Sequence, residues 1–215
     1  MERILKDDLG RIWLSPDGKV IKERPFQYQV IQEGLIFWGQ SEQNYLTIVD
    51  GLVSEAYDIR GNGLKMVQAT VSNRPTFLGN SIGIGSISGI FRSIRSNFTS
   101  NVKSLFFINK RTLNPNDCCI GTTGDDGLMS ASYLTSYTGT FYRNLTKYSA
   151  NNPTTINTLY IVHSVSDFNK IAQNISLYNT NGAGEIVEWG WYNRVLNEAE
   201  VIYNINALNA KHGIF

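Results

Sequence analysis

From Glu33 onward the chain alternates short apolar segments with turn residues. The segments recur about every 8–12 residues, the spacing of an all-β sandwich or barrel. Ser81–Ile94 reads SIGIGSISGIFRSI: Ile82 and Ile84 alternate with small residues, and the phase shifts near Gly85. Period two with a glycine at the shift predicts a strand with a bulge or bend. Asn101–Arg111 predicts a buried strand. Cys118–Leu134 predicts two strands joined by a turn at Asp125-Asp126-Gly127. Asn157–Ser164 and Lys170–Tyr178 predict two more, flanking a turn at Ser166-Asp167. Gly61-Asn62-Gly63 marks a further turn, and Pro75 disfavours helix around it.

The apolar period lengthens only at the C-terminus. Asn197 can cap a helix, with Glu200 three residues on as its capping-box partner. Val201, Ile202, Ile205 and Leu208 form one apolar stripe, and Gly213 stands where a left-handed terminator belongs. Just before it, strict alternation through EWGWYN puts Val187, Trp189 and Trp191 on one strand face and Glu188, Gly190 and Tyr192 on the other. The two tryptophans are therefore expected to pack between sheets and not to form a sugar platform.

Residues 1–33 differ from the rest. Apolar runs containing Ile12, Trp13, Leu14 and Val20, Ile21 flank Pro16-Asp17-Gly18, which predicts a hairpin. Charge is concentrated here, from Glu2 and Arg3 through Lys6, Asp7, Asp8 and Arg11 to Lys22, Glu23 and Arg24. A lone hairpin is marginal in water and needs a partner surface. The expected organisation is an N-terminal arm, 1–33, that attaches the protein to a neighbour through those apolar residues, and a body, 34–215.

Two separated stretches resemble one family, the concanavalin A-like (laminin-G-type) jelly-roll domains of phage virion proteins. The first match is Asp58, Gly61, Asn62, Gly63, Gln68, Ala69 and Thr70, leading to Pro75, Thr76 and Phe77, with GLIFWG upstream similar to the opening strand. The second is Glu188, Tyr192, Asn193, Arg194, Leu196 and Glu200 in the closing strand and helix. Together they frame about Gly34–Phe215. The resemblance implies a jelly-roll β-sandwich with one C-terminal helix. It also implies a non-enzymatic bacteriophage structural protein, a capsid decoration, head-fibre or tail component, assembled in the bacterial host cytoplasm. Other virion proteins and copies of the chain itself are the implied partners. Within the match, Asp58 is expected to accept hydrogen bonds from the glycine turn, and Glu188 from backbone or Arg194.

Composition narrows the chemistry. The chain has 215 residues, 42% apolar, with only 17% charged and a formal charge of +1. No basic run exists to meet nucleic acid, and no apolar run is long enough for a membrane span. The N-terminus lacks the apolar region of a signal peptide. Cys118 and Cys119 are adjacent, so a disulfide between them would be strained, and free thiols in a reducing compartment are expected.

Glycoside hydrolysis would need carboxylates pointing into one cleft from alternate strand positions. Glu185 and Glu188, three apart, are expected on opposite faces, so a hydrolase is the third reading. His163 in an apolar strand is expected to be packed or at the surface and not catalytic, and His212 suits a helix C-terminus. No cofactor is expected. Calcium, through Asp125 and Asp126, is the one ion to consider, although the turn already accounts for both residues. A second function class, a glycan-binding adhesin, would use Tyr133, Tyr137, Phe141 and Tyr142, aromatics set among Ser, Thr and Asn.

Overall fold

The computed structural model describes residues 3–4, 22–23, 29–87, 90–96, 98–113, 119–121, 127–130, 139–148, 158–166, 171–173, 176–178 and 183–215. In chain order the first strands are β1 (Arg3–Ile4), β2 (Lys22–Glu23), β3 (Leu35–Gln40), β4 (Leu46–Val49), β5 (Leu52–Tyr57), β6 (Lys65–Val67), β7 (Thr76–Phe77), β8 (Ile82–Ile87), β9 (Ile90–Arg92), β10 (Ile94–Ser96) and β11 (Thr99–Asn101). Then come β12 (Ser104–Leu113), β13 (Cys119–Gly121), β14 (Gly127–Ser130), β15 (Gly139–Arg143), β16 (Thr146–Tyr148), β17 (Leu159–Ser166), β18 (Ile171–Gln173), β19 (Ser176–Tyr178) and β20 (Ala183–Tyr192), and finally the helix α1 (Glu198–His212). The protein is predominantly β, with antiparallel pairing and one C-terminal helix.

One sheet runs β14-β13-β19-β10-β6-β5-β7-β8-β20-β12-β17-β15-β16, with β3 also on β20, β4 on β5 and β9 on β8. β20 organises it: β12 lies along one edge, while β8 and β3 share the other. The sheet curls on itself. Phe37, Leu105, Phe107, Trp189 and Trp191 from the β3–β20–β12 region share a core with Val53, Met66, Ile94 and Leu177 from the far strands. Each large apolar side chain buried there contributes roughly 1.5–3 kcal/mol relative to exposure. A second core lies on the opposite face, where Trp38, Phe106, Ile108, Ile161 and Tyr192 pack against Val201, Ile205 and Leu208 of α1. Two glycines permit these contacts. A Cβ on Gly39 would stand 2.4 Å from the Trp189 ring, and one on Gly190 2.7 Å from Phe106.

Strict alternation fails at one residue of β20. Ile108 opposes Glu188 but Asn109 opposes Ile186, so Val187 is an inserted, bulged residue. Ile186, not Val187, therefore shares the first core with Trp189 and Trp191, and Val187 packs toward the second. The bulge also corrects the expectation for the two acids. Glu185 opposes Lys110 and Glu188 opposes Ile108, two residues apart on β12, so both acids lie on one face. The expected strand at Lys170–Tyr178 is likewise divided: β18 pairs with β11, while β19 pairs with β10 and β13.

The helix forms where its end signals predicted. Asn197 and Glu200 make a complete capping box, and Gly213 terminates it at φ 62°. Its buried stripe is Val201, Asn204, Ile205 and Leu208, and Ile202 is exposed. Asn204, at i+3 from Val201, takes the inward place expected for Ile202. Gly85 adopts φ 104°, where the sequence placed a bend.

In the arm, Arg3 pairs with Glu23 and Ile4 with Lys22. The expected turn at Pro16-Asp17-Gly18 and the attachment residues Ile12, Trp13, Leu14, Val20 and Ile21 lie outside the described residues, as do Cys118, Asp125, Asp126 and Asp167. Val30 is buried in the second core, so the body's packing already includes residues before Gly34.

Candidate functional site

The bulge at Val187 brings the closing strand up to the C-terminal end of α1. A cleft of about 300 Å³ opens there, lined by Gln40, Glu42, Asn80, Val187, Glu188, Lys211 and His212. β3 supplies Gln40, β20 supplies Glu188, and the last turn of α1 supplies the two basic residues. The bulged Val187 accepts through its carbonyl from the Ser41 amide at 2.9 Å, which fixes the strand end beside the cleft.

Glu188 has no exposed surface. Its Oε1 accepts from the Trp38 indole Nε1 at 2.6 Å. Its Oε2 accepts from Lys211 Nζ and meets His212 Nε2, each at 2.7 Å. Burial pushes the carboxyl pKa up, but the bonds and charges of His212 and Lys211 outweigh it, and the net direction is below the ordinary glutamate value. The group therefore stays ionised. Glu185, on the same face, is committed separately, to Lys110 at 2.7 Å and Ser81 Oγ at 2.8 Å. A glycosidase acid must hold its proton near neutrality through a raised pKa, and Glu188 is tuned the other way. Gln40 Oε1 is buried beside this group without a hydrogen-bond partner.

A second polar cluster sits where the arm joins the body. Asn204 Oδ1 accepts from the Ile31 amide at 2.7 Å. Its Nδ2 donates to Tyr192 Oη at 3.0 Å and lies 3.3 Å from His163 Nε2. Tyr192 Oη in turn donates to the Ile31 carbonyl at 3.0 Å. Burial pushes the Tyr192 hydroxyl pKa up, so it remains a donor. His163 is fully buried, stacked with the Phe106 and Tyr192 rings, the packed one of the two positions left open for it.

The matched residues serve local architecture. Asp58 is buried and accepts from the Arg60 amide and Nε, each at 2.9 Å, from Arg60 Nη2 at 2.6 Å and from Asn62 Nδ2 at 3.0 Å. Gly61 and Gly63 take positive φ in that turn. Arg60 then donates to the carbonyls of Leu35 and Ile36, tying the turn to β3. Glu188, expected to meet backbone or Arg194 donors, has the Trp38, Lys211 and His212 side chains as its partners instead, and Arg194 pairs in bidentate fashion with Glu200, at 2.9 and 2.6 Å. That bond holds the Glu200 pKa low while the same carboxylate closes the capping box. Leu196 is buried, with its amide donating to Ser104 Oγ at 3.0 Å.

Of the proposed glycan surface, Tyr133 and Tyr137 lie outside the described residues, and Phe141 is placed by its backbone alone, opposite Tyr148. Tyr142 is 3% exposed, within the second core. Its ring offers no free face to a sugar. Burial, first, and nearby Glu198 raise its pKa, against Lys147. The described strands thus place Tyr142 opposite His163 in the sheet and separate it from any solvent-facing platform. Among the described residues no group of three His, Cys, Asp or Glu side chains could hold a metal ion. No described helix is long and apolar enough to cross a membrane.

Sequence reasoning missed the Glu188–Lys211–His212 cluster and the inward turn of Asn204. The only available signal was a helix ending in two basic residues next to a strand bearing an otherwise apolar-flanked acid. Comparison with protein-family models, with curated proteins and with solved structures gives no match.

Proposed function

We propose that this chain is a non-enzymatic structural component of a bacteriophage particle. In this reading the body is a concanavalin A-like (laminin-G-type) jelly roll, displayed on head or tail and fastened by the N-terminal arm to other virion proteins. The observation that carries it is the use made of the residues that resemble that family. Asp58 builds the Arg60–Asn62 turn, Arg194 and Glu200 clamp the start of α1, and Glu188 anchors its end. All are spent on scaffold. The antiparallel sheet with a single closing helix supports the same reading, as does the ionised, fully bonded state of Glu188, which does not suit acid catalysis.

Attachment through the arm is tested by replacing its apolar residues. Phage grown with Trp13→Asp and Ile21→Asp should yield banded particles depleted of this protein, with the folded chain left in the lysate supernatant. Retention in particles at the wild-type level contradicts arm-mediated attachment.

A further inference from the structure

The chain enters the body through residues 30–34, which are neither strand nor helix, yet their carbonyls are bonded one after another. The Val30 carbonyl accepts from Gln32 Nε2 at 2.7 Å, the Ile31 carbonyl from Tyr192 Oη at 3.0 Å and the Gln32 carbonyl from the Leu35 amide at 3.1 Å. The Glu33 carbonyl accepts from Arg194 Nε at 3.0 Å, and the Gly34 carbonyl from the Asn193 amide at 2.9 Å. The Ile31 amide donates to Asn204 Oδ1 at 2.7 Å. Side chains add less. Val30 is buried, but Gln32 and Glu33 are exposed. A connecting segment at a surface ordinarily gives its main-chain groups to water. Here they go to the body.

We infer that residues 30–34 are a docked strap, gripped by its main chain in a seat built from the end of β20 and the middle of α1. The seat is a rigid joint that fixes the point and direction at which the chain enters the body. Its gripping groups are themselves held. Asn204 Nδ2 donates to Tyr192 Oη, so the two side chains that hold Ile31 also hold each other. Arg194 is aligned by its bidentate pair with Glu200, which also closes the helix cap. The fit is close. Gly34 adopts φ 73°, and a Cβ there would stand 2.8 Å from Arg194 Cγ. Ordering the strap costs conformational entropy at each residue, which the bonds and the burial of Val30 offset. A flexible tether has no such compensation and stays solvated. The inference deepens the proposed function and rests on that reading only for its consequence: a body fastened by its arm takes the load at β20 and α1.

The test uses the purified full-length chain and NMR. Backbone order parameters of residues 30–34 should be about 0.85, the value of rigid backbone, where a flexible tether gives less than about 0.6. Gly34→Val forces a side chain against Arg194 and should drop residues 30–33 below about 0.6 while residues 106–108 of β12 stay rigid. Tyr192→Phe keeps the ring in the second core and removes only the donor to the Ile31 carbonyl. It should speed exchange of the Ile31 amide by about fivefold, the weight of one net hydrogen bond. Wild-type values below about 0.6 overturn the inference, as does a strap that stays ordered in Gly34→Val. Unchanged Ile31 exchange in Tyr192→Phe overturns it as well, and that variant decides the matter if Gly34→Val does not fold. All of this is read on the chain alone, so a failure here leaves the particle reading standing, and a failure of the particle reading leaves the seat.

Discussion

A carboxylate with no exposed surface, held by an indole N–H, the Lys211 ammonium and a His212 ring nitrogen, makes Glu188 a pH-sensitive joint between β20 and α1. Its folded pKa is depressed, so it stabilises the fold at neutral pH. That contribution is lost as pH falls below the ordinary glutamate value of about 4.3 and through the folded value. Glu55 and Glu200 are shifted in the same direction and add to the same acid limb. Glu188→Gln should cost about 2–4 kcal/mol in urea unfolding at neutral pH, less than a fully buried pair because Lys211 and His212 reach solvent. The variant should also show a flatter fall in stability toward acid. An unchanged acid limb would mean that Glu188 is not a principal source of it. The sequence showed Glu188 as an acid in an apolar strand, but its partners stand 23 and 24 residues on, beyond the reach of local pattern. Asp58 was more legible, because its turn partners Arg60 and Asn62 lie within four residues.

At the scale of elements, α1 was legible from both ends, since Asn197, Glu200 and Gly213 act on backbone a few residues away. Its inward face was read less well. Hydrophobicity put Ile202 inside, whereas Asn204 goes in because the Ile31 amide and Tyr192 Oη satisfy its polar atoms there. The bulge at Val187 was invisible for a different reason. Alternation within one strand cannot report a residue left unpaired by the partner strand, and here β12 sets the register. Removing the cap with Asn197→Ala should cost about 1 kcal/mol, lowering the melting temperature by roughly 2–4 °C for a chain of this size. A calorimetric scan checks this, and no change would indicate that the Arg194–Glu200 clamp alone fixes the start of the helix.

At the scale of the whole molecule, the β class and the closing helix follow from repeat spacing and caps, while the order of strands does not. β20 meets β3, β8 and β12, which precede it by some 70 to 150 residues, so its pairing is set by the shared core of Trp189, Trp191, Phe37 and Phe107 and by no local signal. The residues that carry the resemblance hold turns, strand ends and the helix together, which supports the proposed role as a structural component. The proposed particle role is tested most directly by quantitative mass spectrometry of density-banded particles from a lysate of the proposed phage source. The account predicts peptides from this chain at a fixed ratio to the major capsid or tail protein, retained through repeated banding. Recovery of the chain only in the particle-free supernatant would contradict it.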